Sequence, residues 1–214
     1  MELYTYFRSS AAFRARIALN LKGLKPDYRF VHLVKDGGQQ HKPEFKAVNP
    51  QGFVPALVDQ GHTVTQSIAI IEYLDETHPH PPLLPKDPVG RARVRALALA
   101  IACDIHPLQN TRVMKYLEKE FHADEETRKK WIVRWITEGF TALEKLLADG
   151  GTGKCCHGDT PTMADVLLVP QMFSARRFGA DTAPFKTLTR IDEYCQTLKA
   201  FQNAAPAKQP DFEA

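Results

Sequence analysis

The sequence predicts an α/β segment followed by an all-α segment. Three observations support this division: strand and helix patterns alternate over residues 1–80, a proline-rich stretch occupies 81–88, and helical periodicity alone follows over 89–214. Proline fixes the backbone and removes a hydrogen-bond donor, so we interpret the stretch as a stiff linker between two domains. A chain of 214 residues with 43% hydrophobic content is long enough for both domains.

The first segment begins with a predicted βαβ unit. Glu2–Tyr6 has the composition of a strand, Phe13–Leu21 is amphipathic with the period of a helix, and Lys22-Gly23 is a helix end signal. Tyr28–Leu33 alternates again with a period of two. Two strands joined through a helix run parallel, so the crossover should be right-handed.

A ββα unit is predicted next, after a short helix over Glu44–Ala47. The strands Ala56–Val58 and His62–Thr65 are separated by Asp59-Gln60-Gly61, which predicts an antiparallel hairpin. The apolar run Ile68–Leu74 then predicts a helix that packs on the sheet.

Helices are predicted in the second segment over 89–116, 125–147, 163–177 and 187–201. His106 precedes a proline inside the first of them, which predicts a kink. Thr162 and Asp165 form a capping-box pattern, which we interpret as a helix start without a chemical role. The segment from Ala204 onward, with two further prolines, is expected to be a surface extension.

Composition excludes several classes of partner. The net charge of +3 contains no basic block, so we expect no nucleic-acid partner. No run approaches the roughly 18 apolar residues that a membrane span needs, and no charged leader with an apolar core begins the sequence, so we expect a cytoplasmic protein without a membrane partner. The cysteines fit neither a disulfide framework nor a zinc site, so we expect reduced thiols and no metal. They are Cys103, Cys155, Cys156 and Cys195.

The pair Ser9-Ser10 lies between the first strand and the first helix. Backbone N–H groups and the helix dipole favour an anion there. A redox domain would carry Cys-x-x-Cys at this junction, whereas this sequence has only hydroxyls. We therefore predict a site that stabilises a thiolate brought by a ligand. Arg8, beside the pair, is a candidate clamp for a substrate carboxylate.

Three further positions are candidates with open alternatives. Gln66-Ser67 precedes a predicted helix and is suited to a carboxylate, although Ser67 as a simple N-cap explains the pattern equally well. Val54-Pro55 precedes a strand, where a cis bond would expose backbone groups able to pair with a peptide ligand. His106 is either a functional group or a packing residue beside the kink.

These motifs resemble the zeta-class glutathione transferases. The resemblance extends over nearly the whole chain, and the matching stretches include Tyr6–Ser10, Asn49–Pro55, Gln66–Leu74, Ile105–Asn110 and Gly158–Asp165. Gln66–Leu74 and Val54-Pro55 identify the transferase superfamily in general, whereas Arg8-Ser9-Ser10 and His106–Asn110 point to this class. It implies a thioredoxin-like N-terminal domain, a helical C-terminal domain, a homodimer and glutathione as cofactor. One departure is Ala11, where members of the class commonly have cysteine, so an activity that depends on that protein thiol is not expected.

The resemblance also implies an activity and a set of site residues. The activity is glutathione-dependent cis–trans isomerisation of a small acidic diketo acid, maleylacetoacetate or maleylpyruvate, with Ser9 stabilising the thiolate and Ser10 supporting it. Arg8 and Arg176 would hold substrate carboxylates. The implied glutathione contacts are Ser9, Ser10, Gln40, Val54, Gln66, Ser67, His106, Asn110 and Arg112. Two alternatives stay open: a general transferase that conjugates electrophiles, and a non-catalytic glutathione-binding interaction module.

Overall fold

Four strands form one mixed sheet in the order β2-β1-β3-β4. They are β1 (Glu2–Thr5), β2 (Asp27–Phe30), β3 (Ala56–Asp59) and β4 (His62–Thr65). β1 pairs with β2 in parallel and with β3 in antiparallel orientation, and β3 and β4 form an antiparallel hairpin. The predicted βαβ unit followed by a ββ hairpin is therefore confirmed, in a computed structural model that describes residues 1–213.

Three helices accompany this sheet: α1 (Ser10–Leu21), α2 (Pro43–Val48) and α3 (Ser67–Thr77). α1 is buried on most sides, and even its two arginines are at most 2% exposed. Short 3-10 helices at Lys35–Gly37 and Gln39–His41 lie between β2 and α2. The strand–helix order of the first segment thus matches the sequence pattern.

The chain divides into two compact units. The first contains Met1–Pro82 and the described residues from Thr197 onward, and the second contains Leu83–Gln196. The main boundary falls between Pro82 and Leu83, within the proline-rich stretch. The final part of the chain, however, does not cluster with the helical unit in which the sequence analysis placed it.

The second unit is built from helices. They are α4 (Pro88–Leu99), α5 (Thr111–Phe121), α6 (Glu125–Leu146), α7 (Met163–Phe178) and α8 (Lys186–Gln196). Between α6 and α7, one isolated bridge joins Thr152 to Gly158. An all-α second segment is therefore confirmed.

The predicted helix over 89–116 is interrupted. After α4 the backbone becomes a π-helix at Ala100–Ile105 and then a 3-10 helix at His106–Gln109, before α5 begins. Pro107 lacks an N–H group and its ring crowds the preceding turn, so it disfavours a regular α-helix at this point. The kink expected at His106 is thus a change of helix type.

The start of α7 has the predicted capping box. Asp165 Oδ2 accepts hydrogen bonds from the N–H and the hydroxyl of Thr162, each at 2.8 Å, and Oδ1 accepts from the N–H of Cys156 at 2.7 Å. The carboxyl group is fully buried, and this burial raises its pKa. Asp165 therefore fixes the start of the helix, as the sequence pattern indicates.

The end of the chain differs from the prediction in two ways. The helix expected over 187–201 is two helices, α8 and α9 (Lys199–Ala204), because Leu198 between them has an extended backbone with φ −89° and ψ 128°. Asn20 of α1 donates to the Ala200 carbonyl at 2.9 Å, which attaches α9 to the first unit. Local periodicity does not reveal such a contact.

The expectation of a surface extension after Ala204 is wrong. This segment forms a 3-10 helix at Pro206–Lys208, and both Pro206 and Gln209 are buried. The Gln209 side chain donates to the carbonyls of Asn203 and Ala205 at 2.9 and 3.0 Å, which folds the segment back on itself.

The remaining sequence-level expectations concern membranes and thiols. None of the helices among residues 1–213 combines the length and apolar character needed to cross a bilayer. The four cysteines are free thiols, of which Cys103 is exposed and the others are buried.

Candidate functional site

The sequence-predicted residues of the first unit converge at one end of the sheet. Tyr4 of β1 pairs with Ala56 of β3, which pairs with Thr65 of β4. The turn after β1, the loop before β3 and the residues after β4 therefore meet at the same end of these three strands. This end of the strands is called the sheet edge below. This edge holds Ser9, Ser10, Val54, Gln66 and Ser67.

Ser9 is the N-cap of α1. Its hydroxyl oxygen accepts a hydrogen bond from the Ala12 N–H at 3.2 Å, and the residue itself has an extended backbone. A serine hydroxyl carries one proton in addition to its lone pairs, so the cap uses an acceptor site and leaves the donor for a ligand. Ser10 follows as the first, half-buried residue of the helix. The Ser9 hydroxyl thus lies at the positive end of the helix dipole.

Ser67 occupies the corresponding place at the start of α3. The N-cap residue is Gln66, which has φ 69° and ψ 124°, and Ser67 is the first helical residue. The buried Ser67 hydroxyl accepts from Arg14 Nη1 at 3.3 Å. The alternative that Ser67 is a simple N-cap is therefore wrong. A positive φ in a residue other than glycine costs backbone energy and is typical of ligand clamps.

Val54 lies in the loop before β3, and Gln66 contacts the same loop. The exposed Gln66 side chain donates to Gln51 Oε1 at 3.0 Å. Val54 is buried, and the Val54–Pro55 peptide bond is cis. The sequence hypothesis of a cis bond at this position is confirmed.

Gln40 lies close to the same loop. Its side chain donates to the Leu33 carbonyl at 3.2 Å, and its Oε1 is buried without a hydrogen-bond partner among residues 1–213. Gly52, with φ +68°, packs so closely that a Cβ would lie 3.0 Å from the Gln40 carbonyl oxygen. The unused amide oxygen is the kind of group that an amine or amide N–H of a ligand satisfies.

Two contributors to this edge were not assigned a role from the sequence. Asn49, 1% exposed, donates to the Phe53 carbonyl at 2.7 Å and accepts from the Gln51 N–H at 3.1 Å, so it shapes the loop before Val54. Arg14 donates the hydrogen bond to the Ser67 hydroxyl described above. The Asn-Pro pair is a turn signal that points to Asn49, whereas an arginine in an amphipathic helix is usually solvent-exposed.

Arg8 is exposed immediately before Ser9. Its guanidinium carbon lies 5.1 Å from the centre of the Phe7 ring. The cation therefore rests on an aromatic ring and remains accessible to an anionic ligand beside the hydroxyl pair.

The second unit carries three of the predicted glutathione contacts within one short segment. His106 begins the 3-10 helix, and Asn110 is the N-cap of α5, with its side-chain oxygen accepting from the Arg112 N–H at 3.1 Å. Arg112 is exposed. The change of helix type thus brings these residues to the beginning of a new helix.

Arg176 is engaged within the second unit. Its Nη1 lies 2.6 Å from Asp192 Oδ2, and Asp192 is almost fully buried whereas the Arg176 side chain is 45% exposed. Burial raises the pKa of Asp192, and Arg176 opposes that rise. The sequence analysis did not foresee this pairing. Part of the guanidinium remains exposed to solvent.

The sheet-edge site matches a peptide that brings both a thiol and a carboxylate. It offers the N-termini of two helices, the hydroxyls of Ser9 and Ser67, and an amide oxygen of Gln40 that has no hydrogen-bond partner among residues 1–213. The first unit contains no cysteine. It therefore has no thiol of its own, and thiol chemistry at this end of the sheet needs a sulfur from outside the unit.

Comparison with known proteins agrees with this geometry. Residues 1–76 match the family model described as glutathione S-transferase, N-terminal domain. A maleylpyruvate isomerase from a Ralstonia species is 51% identical over 99% of both chains. A solved holo structure, described as a bacterial maleylpyruvate isomerase in the zeta class of glutathione S-transferases, is 50% identical, covers 100% of both chains and superposes with a TM-score of 0.97.

The chain belongs to the zeta-class glutathione transferases. The thioredoxin-like N-terminal fold implied by the sequence resemblance is thereby confirmed. A second solved structure, maleylacetoacetate isomerase from Methylobacterium extorquens, is 43% identical over 100% of both chains with a TM-score of 0.95. That structure contains bound malonate and glutathione.

Proposed function

We propose that this zeta-class transferase catalyses the glutathione-dependent cis–trans isomerisation of a small acidic diketo acid, maleylpyruvate or maleylacetoacetate. The observation that carries the proposal is the geometry of Ser9, whose hydroxyl caps α1 as an acceptor and retains its proton for a ligand. A maleylpyruvate isomerase at 51% identity and a maleylacetoacetate isomerase at 47% identity support the choice of reaction.

Ser9 has a quantifiable task in this reaction. A free thiol has a pKa of about 8.5, and lowering it by about two units requires roughly 2.7 kcal/mol of preferential thiolate stabilisation. A hydrogen bond to a charged group contributes about 1.5–3 kcal/mol, and a helix N-terminus adds about 0.3–1 kcal/mol. The Ser9 hydroxyl at the start of α1 therefore supplies enough stabilisation, with Ser10 beside it in support.

The other residues at the sheet edge bind and orient the cofactor. Ser67 and the N-terminus of α3 suit the carboxylate of its glutamyl end, and the backbone of Val54 suits its peptide groups. Gln40 offers its amide oxygen, and Gln66 completes this part of the site. Bound glutathione supplies the sulfur that adds reversibly to the substrate double bond and so permits rotation about it.

Arginines hold the acidic substrate in this proposal. Arg8 lies beside the hydroxyl pair, and the exposed part of Arg176 is available in the second unit. A guanidinium binds a carboxylate through two parallel hydrogen bonds and stabilises negative charge that develops on neighbouring oxygens. His106, Asn110 and Arg112 are proposed as additional glutathione contacts. The malonate in the Methylobacterium relative shows that a dicarboxylate binds to that protein.

The family resemblance also leads us to propose a homodimer and a cytoplasmic location. Analytical ultracentrifugation of the purified protein tests the first, with a mass of twice 24.1 kDa as the expected result. A single sedimenting species of monomer mass would contradict it.

A three-way isomerisation assay tests the reaction. Maleylpyruvate and maleylacetoacetate are each incubated with the protein plus glutathione, plus S-methylglutathione, or without either. We expect conversion only with glutathione, because the methylated analogue cannot form a thiolate. Conversion with the methylated analogue would contradict the thiolate role, and no conversion under any condition would contradict the isomerase.

A conjugation assay with the same protein distinguishes the two remaining alternatives, the general transferase and the non-catalytic module. A chlorinated aromatic electrophile is offered with glutathione in place of the diketo acid. Faster conjugation of this electrophile than isomerisation of either acid would favour the general transferase. Glutathione binding without any turnover would favour the non-catalytic module.

A further inference from the structure

The turn that presents Ser9 is short and depends on the two residues before it. The Ser9 N–H donates to the Tyr6 carbonyl at 3.1 Å. Tyr6 and Phe7 are 3% and 2% exposed, so neither is free to adjust to solvent. The position of the Ser9 hydroxyl therefore depends on the contacts that fix the backbone of Tyr6 and Phe7.

Arg16 holds the carbonyl groups of this turn. Its Nη1 donates to the Tyr6 carbonyl at 3.2 Å, and its Nη2 donates to the Phe7 carbonyl at 3.1 Å. Its Nε reaches the Ala204 carbonyl at the end of α9, at 3.0 Å. The guanidinium is planar and rigid, so a single buried side chain connects the turn to the distant end of the chain.

Asp211 holds the remaining backbone group of Phe7. Its Oδ2 accepts from the Phe7 N–H at 2.9 Å across a sequence separation of 204 residues. The neighbouring Phe212 ring lies edge-on to the Phe7 ring with centroids 5.4 Å apart. The N–H, the carbonyl and the ring of Phe7 are thus each fixed by a partner.

Asp211 also acts on Arg16 electrostatically. Burial lowers the pKa of Arg16 to about 10, and the negative charge of Asp211 opposes this change. The carboxylate therefore favours the charged guanidinium that holds the two carbonyl groups.

The segment that carries Asp211 is itself anchored. Gln209 is buried and bonded to two backbone carbonyls, as described above. On the other side, Glu213 forms a solvent-exposed ion pair with Lys35, which contributes little to the position of the segment. Asp211 is therefore presented to Phe7 from a fixed position.

We propose that Asp211 is a positioning residue for Ser9, and that together with Arg16 it fixes the backbone of Phe7 and so the direction of the thiolate-binding hydroxyl. This inference rests on the proposed function, in which Ser9 stabilises the glutathione thiolate. A displacement of about 1 Å in a reacting group costs up to 100-fold in rate, so loss of one restraint has a measurable effect.

The test compares Asp211→Ala with Glu213→Gln in the full chain. The control lies on the same segment and removes the charge that pairs with Lys35, but it does not touch Phe7. Four quantities are measured for each protein: the pKa of bound glutathione from the ultraviolet absorbance of its thiolate, the glutathione dissociation constant, kcat and the melting temperature. Phe212→Ala is included because its ring is 44% exposed, so the variant is expected to fold even if Asp211→Ala does not.

For Asp211→Ala we expect the pKa of the bound thiol to rise by about 0.5–1 unit and kcat to fall about tenfold, while the dissociation constant changes less than about threefold. Phe212→Ala should shift the pKa of the bound thiol in the same direction by less, and Glu213→Gln should match the wild type. A purely structural role lowers the melting temperature without moving the pKa of the bound thiol.

Unchanged thiol pKa values in the folded variants would overturn the inference. Wild-type protein that lowers the pKa of bound glutathione but isomerises neither acid would contradict only the proposed reaction, and the variants would still decide the role of Asp211. Wild-type protein that leaves the pKa of bound glutathione at its solution value would overturn both.

Discussion

Arg14 Nη1 donates a hydrogen bond to Ser67 Oγ across 3.3 Å and thereby joins α1 to α3 within the first unit. Both side chains are buried, at 2% and 7% exposure. Because the guanidinium has only donors, the serine must accept, and its own proton is directed elsewhere. The contact thus determines which way the Ser67 hydroxyl donates.

Replacing Arg14 should therefore weaken glutathione binding through Ser67. For Arg14→Met we expect the glutathione dissociation constant to rise about tenfold, which corresponds to about 1.4 kcal/mol, with a smaller change in kcat. Arg14→Lys keeps the charge and should retain part of the affinity. Calorimetric titration of Arg14→Met, Ser67→Ala and the double variant measures the coupling; additive effects of the two substitutions would contradict action through Ser67.

Removing the Ser9 hydroxyl should raise the pKa of bound glutathione. Ser9→Ala loses a charge-assisted hydrogen bond of about 1.5–3 kcal/mol, so we expect kcat to fall roughly 10- to 100-fold at neutral pH. It also loses a helix cap worth about 1 kcal/mol of stability. Rate and pH profile of isomerisation, together with unfolding in urea, measure both effects.

A substitution at a second helix cap separates the two effects of Ser9→Ala, which are the loss of thiolate stabilisation and the loss of a helix cap. Asp124 caps α6 by accepting from the Thr127 N–H at 2.8 Å. Asp124→Ala should lower the stability by a similar amount without altering the pKa of bound glutathione, and Ser9→Thr should retain activity. Equal kinetic losses in Asp124→Ala and Ser9→Ala would argue that stability alone explains the effect.

A buried amide pair stabilises the second unit. Gln109 donates to Gln171 Oε1 at 2.7 Å, and both side chains are at most 8% exposed. Gln171→Met leaves the Gln109 amide without this partner and should cost about 1–3 kcal/mol in urea unfolding. The double variant with Gln109→Met replaces both partners by apolar groups and should recover part of that loss. A double variant less stable than the sum of the two single changes would contradict this account.

The ion pair between Arg93 and Asp149 predicts a pH-dependent contribution to stability. Hydrogen bonding from Arg93 at 2.6 Å, together with its charge, lowers the pKa of Asp149 to about 2. Because the folded-state pKa lies below the unfolded one, the unfolded state binds more protons as acid is added. The stabilisation is present above about pH 4 and is lost as the pH falls towards 2.

Asp149→Asn tests this dependence. The Asp149 side chain is 45% exposed, so water screens the pair and the loss at pH 7 should stay below about 1 kcal/mol. Urea unfolding should show about the same difference from wild type at pH 7 and pH 5, and a smaller difference at pH 3. Asp181→Asn, which changes an exposed aspartate bonded to the Ala183 N–H, is the control. A difference that stays constant over this range would contradict the prediction.

Local pattern was sufficient for the features that local chemistry determines. The strand and helix order, the capping box of Thr162 and Asp165 at the start of α7, and the hydroxyl pair at a helix N-terminus follow from periodicity, capping residues and turn residues within a few positions. Their boundaries differ by a few residues because helix ends fray and local signals overlap.

The residues that hold the site in place were not readable in this way. Arg14 and Arg16 look like surface groups of an amphipathic helix, yet each is buried and bonded to a partner from another part of the chain. Arg176 carries a charge suited to a substrate, but its pairing with Asp192 depends on how α7 and α8 pack.

The sequence by itself determined the α/β-then-α order, the zeta-class motifs and the absence of a protein thiol before Cys103. Only the tertiary structure decided that the segment from Thr197 onward packs with the first unit, and that Asp211 meets Phe7 across 204 positions. The physical reason is that periodicity reports which side of an element is apolar, whereas a buried polar contact depends on which distant element covers that side.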